Sequence, residues 1–445
     1  MKNNNLEAIN YVLMSASENN VKFIRLWFSD ILGNLKGFAI TIDELEEVMN
    51  NGASFDGSSI QASVRDTETD KVAMPDPTTF EILPWRTKAT VARIFCNILD
   101  SNGNPSYSDG RNILIKNLSE AKKLGFTFYV SPEMEYYYES EDDNYTQPNE
   151  QSEYFDQTST DLLESDLRRD TVITLEQMGI PVKHSHHEVS KGQHEIDLRH
   201  TDALTMADSI MTFKVVAKEL ATLSGINATF MPRPYNNRHG SGMHTHMSLF
   251  EGNKNLFFDN KLEYKLSKLG RQFIAGLISH ASEICIVTNQ WVNSYKRLVP
   301  GLEAPTYSSW STNNFGDLIR VPSFRNGREE SLRVEYRAPD SSSNPYLLFS
   351  VLLASGLDGI KNKMKIENPI DLDITKSSNK ELKKYGVIKL PETLKDAIDI
   401  AENSKLLQNT LGMDAFETLL SNKRQEWKHF SSFVTDYEIS KYQNL

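Results

Sequence analysis

A chain of 445 residues that is 39% hydrophobic and 10% aromatic is too long for one ordinary core and too apolar for disorder, so two globular domains are expected. Its formal net charge of -12 lacks the basic footprint that nucleic acid or an anionic membrane requires, and suits a protein that gathers cations. Cys96 and Cys285 lie inside apolar runs, the N-terminus has no apolar targeting core, and the longest apolar stretch is broken by Ser279, His280 and Glu283; the expectation is a cytoplasmic chain that crosses no membrane.

Residues 21–28 read as a strand closed by the turn signal Ser29-Asp30, with Gly33-Asn34 beyond it and a return arm over 36–40. Thr41 or Asp43 can cap a short helix ending near Asn50-Asn51-Gly52. Residues 91–98 form another apolar strand, and the polar stretch 100–109 marks a domain boundary. Amphipathic helices then alternate with short strands. One stripe (Leu114, Ile115, Leu118, Ala121, Leu124) stops at Gly125, and a second (Leu163, Leu167, Val172, Leu175, Met178) stops at Gly179. A third helix runs from an N-cap at Thr201 to Gly225, and a fourth opens at Asn344-Pro345 with Asn as cap.

Chemistry concentrates in four strand-like segments. Side chains two apart on a strand share a face. Glu133 and Glu135 do so, as do His244 and His246, and as do Arg333, Glu335 and Arg337; Glu188 and Glu195 stand either side of a Lys191-Gly192 turn. Four such strands sharing one interior gather five glutamates and one or two histidines. Carboxylates at that density raise one another's pKa, so cations or arginines must balance them. Oxygen-rich ligation without sulfur favours Mg²⁺ or Mn²⁺ over Zn²⁺. Arg297, Arg320, Arg333 and Arg337 suit carboxylate or phosphate capture, and arginines with divalent metals point to phosphoryl transfer. No P-loop motif is present.

These motifs, in this order, resemble the glutamine synthetase family, type I, in its shorter non-adenylylated branch. The resemblance rests on Phe55-Asp56-Gly57-Ser58-Ser59-Ile60, Pro132-Glu133-Met134-Glu135, Ser185-His186-His187-Glu188-Val189 and Gly192-Gln193-His194-Glu195. It continues through Gly240-Ser241-Gly242-Met243-His244, Lys296-Arg297-Leu298-Val299-Pro300-Gly301, Glu303-Ala304-Pro305 and Arg333-Val334-Glu335-Tyr336-Arg337, and spans essentially the whole chain. It implies an α+β protein: a β-grasp domain over residues 1–105, then a catalytic domain over 106–445 with a curved antiparallel sheet flanked by helices. It further implies a homo-oligomer, typically two stacked hexameric rings, with active sites at subunit junctions. One Mg²⁺ or Mn²⁺ would be held by Glu135, Glu188 and Glu195, and a second by Glu133, His244 and Glu335. The implied reaction joins glutamate and ammonium with ATP through a γ-glutamyl phosphate. Arg320 and Arg337 would face the transferring phosphoryl group, and Arg297 and Gly240 the amino-acid end of glutamate. Asp56 (from the neighbouring subunit), Ser59 and Tyr154 would surround ammonium together with Glu188, with Asp56 as base, and Glu303 would close as a flap. His246, Ser248, Arg320 and Arg333 would contact nucleotide.

The chain departs from the family pattern in places. His239 stands where Asn usually precedes the Gly-Ser-Gly-Met-His run, Phe315 where an arginine is usual, Lys183 where a glutamate lines the nucleotide site, and Gln61-Ala62-Ser63 where Glu-Gly-Phe is usual. Arg325 and Arg328 lie in a longer segment before Arg333, and either could replace the missing charge. Arg65 matches an arginine linked to feedback by glutamine. The stretch Asp373-Ile374-Thr375-Lys376 lacks the tyrosine that the adenylylated branch modifies. Two other readings follow from these departures: a related ligase using another amine or acid, and a weakly active regulatory paralogue.

Overall fold

The computed structural model describes residues 2–60, 70–106, 108–139, 154–155, 162–314, 316–370 and 374–445. Residues 61–63, Arg65, Phe315 and Asp373 lie outside that range. The chain begins with helix α1 (Lys2–Glu18), which the sequence reading passed over because asparagines dominate its start. Ile9, Val12 and Ala16, spaced three and four apart, bury one face against the N-terminal core.

The N-terminal sheet comprises β1 (Phe23–Ser29), β2 (Leu35–Thr41), β3 (Ala53–Asp56), β4 (Asp70–Pro75), β5 (Glu81–Ile82) and β6 (Val91–Asp100), in the order β2-β1-β6-β4-β3 with β5 on β6. The expected hairpin is β1–β2, and β1 also pairs in parallel with β6. The short helix expected after Thr41 is α2 (Leu45–Asn51), preceded by one 3-10 turn and ended by Gly52 at φ 75°.

The larger sheet contains β7 (Thr127–Glu139), β8 (Val182–His187), β9 (Gln193–Leu198), β10 (Thr201–Asp202), β11 (Asn227–Thr229), β12 (Met243–Glu251), β13 (Lys254–Asn255), β14 (Trp310–Ser311), β15 (Ile319–Arg320) and β16 (Val334–Tyr336). Its main path is β14-β15-β16-β12-β7-β9-β8, antiparallel throughout except β14–β15. Register is the decisive feature. His244 lies opposite Glu133, Glu135 opposite Glu195, Glu195 opposite His186, and Glu335 opposite both His246 and Arg320.

Helices α3 (Gly110–Lys123), α4 (Leu162–Gln177), α5 (Ala203–Leu223), α6 (Lys268–Thr288), α7 (Val292–Arg297) and α8 (Pro345–Lys361) follow the predicted stripes where these were visible. The cap of α5 is Asp202 rather than Thr201, because the Asp202 carboxylate accepts from the Thr205 amide at 3.1 Å. Helices α6 and α8 cross through glycines. A Cβ on Gly276 would sit 2.1 Å from the Ser355 carbonyl oxygen, and one on Gly359 equally close to that of Gln272. Among the described residues no helix is long and apolar enough to cross a membrane.

The two sheets are bound by buried polar contacts. Asn344 caps α8 through its Oδ1, which accepts from the Tyr346 and Leu347 amides, and its Nδ2 donates to the Ile31 carbonyl at 3.0 Å. Gln290 Nε2 donates to the Leu32 carbonyl at 2.7 Å. Buried Arg111 on α3 bridges Asp76 of the N-terminal domain (2.8 Å) and Asp208 of α5 (3.0 Å), and Tyr346 Oη donates to Asp208 at 2.7 Å. Removing one partner of such a network leaves buried charge uncompensated. Arg111→Met is expected to lower unfolding free energy by about 3–5 kcal/mol in chemical denaturation; a loss below about 1 kcal/mol would show that these carboxylates do not depend on Arg111.

Candidate active site

One face of the larger sheet carries the acidic side chains. β7 presents Glu133 and Glu135, β9 presents Glu195, and Glu188 stands in the β8–β9 turn, which Gly192 makes possible at φ 75°. β12 presents His244 and His246, and β16 presents Glu335. A cavity of about 280 Å³ opens over this face. Its lining includes Glu133, Glu135, Glu188, Glu195, His244, Arg297, Arg320 and Arg337, with Tyr154, Gly240 and Glu303 at its mouth and flank. Phe155, His186, Gln193 and Leu302 line it too and were missed from sequence. For His186 and Gln193 a signal existed: each stands two residues from a glutamate on a strand-like segment.

The charges on the two sides of the cavity are balanced differently. Glu335 is fully buried; Arg320 Nε lies 2.6 Å from its Oε2, and Arg337 pairs with its Oε1. Burial alone would raise its pKa, but His246 and Arg337 overcome that and pull it to about 2. Glu133 behaves alike: burial is outweighed by His246 at 2.6 Å and His244 at 3.4 Å, which hold its carboxyl well below the usual range. On the opposite side, burial and then the Glu135 charge lift Glu188 to about 9, and burial and Asp197 lift Glu195 well above the carboxylate range. His186 is the imidazole there, 3.4 Å from Glu188 and 3.2 Å from Glu195.

Among the described residues two trios bring ligand atoms within 4.8 Å of one another: Glu133, His246 and Glu335, and His186, Glu188 and Glu195. Hydrogen bonding distinguishes the two β12 histidines. His246 Nδ1 faces Arg333 Nε at 3.1 Å and its Nε2 faces Glu133 Oε1 at 2.6 Å. Both of its nitrogens are therefore occupied. His244 is buried and its Nε2 has no hydrogen-bond partner; that atom lies 3.9 Å from Glu135 Oε1.

The amino-acid side of the cavity is rigid. Arg297 is buried and donates to the Ala338 carbonyl at 2.8 Å and the Arg337 carbonyl at 3.3 Å. A Cβ on Gly240 would lie 2.4 Å from the Pro232 carbonyl oxygen and 2.7 Å from Arg297 Cγ, so only glycine fits there. His239 is held by its main chain: its amide donates to Ser190 Oγ at 3.0 Å and its carbonyl accepts from Tyr137 Oη at 2.7 Å. At the mouth, Tyr154 donates to the Glu303 carboxylate, and Glu303 has φ 56°, a left-handed conformation uncommon outside glycine.

A second cavity, about 390 Å³, lies on the same sheet and is lined by Lys183, Arg199, His246, Ser248, Arg328 and Arg333, among others. Its acid is Glu330, which is paired with Arg328 at 2.8 Å. Arg328, not Arg325, therefore joins it. The Glu133–His246 pair stands between the two cavities. Asp56 and Ser59 line neither. They sit where β3 ends, with Asp56 accepting from the Ser58 amide at 3.0 Å and hydroxyl at 2.9 Å.

Residues 107–442 match the glutamine synthetase catalytic domain and residues 20–101 the glutamine synthetase β-grasp domain. The chain is 46% identical over 441 residues to glutamine synthetase of Mycolicibacterium smegmatis, covering 98% of this chain and 99% of that one. It is 43% identical to that of Clostridium saccharobutylicum, covering 97% and 98%. Among solved structures it is similar to a GmaS/ADP complex, with TM-score 0.87 and 29% identity over 98% of this chain and 99% of that one. Its fold is also that of Plasmodium falciparum glutamine synthetase, with TM-score 0.87 and 24% identity over 98% of each. A two-part match over nearly all of the chain, together with a buried carboxylate face between arginines, makes this protein a member of the glutamine synthetase family.

Proposed function

We propose that the chain is an ATP-dependent glutamate–ammonia ligase of the type I branch. The γ-phosphoryl group of ATP passes to the glutamate side-chain carboxylate, and ammonia then displaces phosphate to give glutamine. The observation that carries this reading is the joined pair of compartments: an acid-and-arginine cavity of amino-acid size, divided by Glu133 and His246 from a cation-lined cavity suited to nucleotide phosphates.

The donor set fits two divalent cations. It is oxygen-rich with imidazole and lacks thiolate, and Glu188 and Glu195 stay ionised only with added positive charge. We assign Glu135, Glu188 and Glu195 to one Mg²⁺ or Mn²⁺, and Glu133, His244 and Glu335 to the other. His244 turns its Nδ1 to Glu133 at 3.4 Å, while both nitrogens of His246 are engaged, which supports His244 as the ligand. When bound, such cations neutralise phosphate charge and organise the nucleotide.

The chain's own groups supply the rest. Arg297 and the Gly240 backbone hold the α-amino-acid end of glutamate, and Arg320 and Arg337 flank the carboxylate to be phosphorylated. Ser248, Arg333 and His246 face nucleotide. Arg328 lines that cavity in a pair with Glu330, and its place there supports it over Arg325 as the partial substitute for an arginine at position 315. The contacts of His239 run through its backbone, so its side chain leaves the Gly240 frame intact. Glu303, tethered to Tyr154, covers the mouth and excludes water from the acyl phosphate.

Asp56 and Ser59 lie apart from their own chain's cavity, which supports their service to a neighbouring subunit. With Tyr154 and Glu188 they would surround ammonium, Asp56 taking its proton. Assembly is further supported by the C-terminal segment, where Phe433, Val434, Tyr437 and Leu445 expose apolar surface that a single chain leaves in water. Two stacked hexameric rings are the proposed arrangement.

Phosphate release should require glutamate, ammonium and Mg²⁺ or Mn²⁺ together, with glutamine identified by mass. Turnover confined to another amine or acid would overturn the assignment. Asp56→Asn and Arg337→Ala should each lower turnover by about 10²-fold or more. Coexpressed, the two variants should recover about a quarter of wild-type activity, because random pairing at a head-to-tail interface rebuilds that share of sites. No recovery would place Asp56 in its own chain's site.

The pH dependence of metal-free stability follows from Glu188. Its folded pKa of about 9 exceeds the ordinary 4.5. Its contribution is therefore complete below pH 4.5 and is lost as pH rises through 9. In chelator the melting temperature should fall between about pH 6 and about pH 9, and the gain on adding Mg²⁺ should grow over that range. A gain independent of pH, or one retained in full by Glu188→Gln, would contradict the role of Glu188.

A further inference from the structure

Gln193 opens β9 beside Glu195 and is almost wholly buried, yet its side chain reaches the cavity. Its Nε2 faces two acceptors: Glu135 Oε2 at 3.0 Å and the Gly240 carbonyl oxygen at 3.1 Å. Two acceptors on one side of the amide require the nitrogen there, because an amide oxygen would meet a carboxylate and a carbonyl with no hydrogen between them. Tyr137 Oη lies 3.2 Å from Gln193 Oε1, on the far side of the amide, with the His239 carbonyl at 2.7 Å as its closer acceptor.

The consequence for Glu135 is directional. Its Oε2 receives both Gln193 Nε2 and the Gly242 amide, the latter at 2.9 Å. Oε1 is thereby left on the side of His244 Nε2. The consequence for Gly240 is similar. Its neighbours are fixed: the Ser241 amide donates a hydrogen bond to the Pro232 carbonyl at 2.8 Å, and the His239 carbonyl accepts one from Tyr137. The remaining freedom of the Gly240 carbonyl is taken up by Gln193.

We propose that Gln193 is a positioning residue that couples cation binding at Glu135 to amino-acid binding at Gly240 through one shared side-chain amide. It would act through Glu135 and the Gly240 carbonyl, the two groups its amide holds. Moving the Glu135 carboxylate toward a cation pulls on the same NH₂ group that sets the Gly240 carbonyl, so each ligand prepares the site for the other. Such linkage is reciprocal. The inference rests on the ligase reading for the identity of the amino acid, but not for the link between Glu135 and Gly240.

The test uses the assembled protein and two variants: Gln193→Met, which keeps length and removes the amide, and Gln193→Glu, which keeps shape and sets a third carboxylate oxygen against Glu135. Mn²⁺ binding is followed by electron paramagnetic resonance with and without glutamate, and KM is measured separately for glutamate and ATP. Wild type should bind Mn²⁺ more tightly with glutamate present. Both variants should lose that enhancement, bind Mn²⁺ about 10–100-fold more weakly, and raise KM for glutamate by a similar factor. KM for ATP should stay within about twofold, a split that general loosening of the fold would not produce. Mn²⁺ affinity and glutamate KM within about twofold of wild type in Gln193→Met would overturn the proposal. So would equal rises in both KM values. If Gln193→Met does not assemble, Gln193→Glu carries the same test. A wild type that shows the glutamate-dependent Mn²⁺ enhancement but makes no glutamine would sink the ligase reading and leave the coupling standing.

Discussion

Everything in this molecule turns on like charges brought level in a sheet interior. Antiparallel pairing sets Glu135 against Glu195, Glu133 of β7 against His244 and Glu335 of β16 against His246, with β12 between the two strands that carry these glutamates. Directly opposed side chains on a sheet stand only about 5 Å apart. Carboxylates at that distance and out of water cannot all ionise unless positive charge comes between them. The fold supplies part of that charge and leaves part to be supplied by ligands. That division is the physical origin of the site.

The half that the protein neutralises itself is built by short elements. β15 and β16 place Arg320 and Arg337 around Glu335, and β12 places two imidazoles on Glu133. These groups must be aimed with little tolerance, which accounts for the rigid scaffold behind them. The α6–α8 crossing is closed through glycines, and Asn344 both caps α8 and grips the N-terminal domain. Arg111 ties the same domain to α3 and α5. The N-terminal sheet is therefore clamped against the catalytic unit, although Asp56 at the end of β3 does not line the cavity of its own chain.

Much of this could be read from residues alone, because a strand's two-residue period and a helix's stripe are local properties. Glu133 and Glu135, or the cap and proline at Asn344-Pro345, announce themselves within a few positions. Register does not. No local pattern says that His186 faces Glu195, or that Gln193 spans from Glu135 to Gly240, since both depend on partners more than forty residues away or on another strand. The helix Lys2–Glu18 was hidden for a different reason: its burial rests on three small or branched side chains among polar ones, too weak a stripe to stand out. The shift of the α5 cap from Thr201 to Asp202 is a contest between adjacent capping residues, decided by the Asp202 carboxylate, which reaches the Thr205 amide.

The uneven charge balance also orders events at the site. Glu133 and Glu335 are ionised before any ligand arrives, held by histidine and arginine, so a cation there competes with protein partners already in place. Burial pushes Glu188 and Glu195 toward their protonated forms, so a cation held by them would have to displace protons. Arg320 and Arg337 are both bound to Glu335; under the proposed ligand assignment, a divalent ion on that glutamate would leave them to a substrate carboxylate or phosphate. An arginine released in that way would be available only when the site is loaded, so phosphate capture would be conditional on the metal without any movement of the sheet.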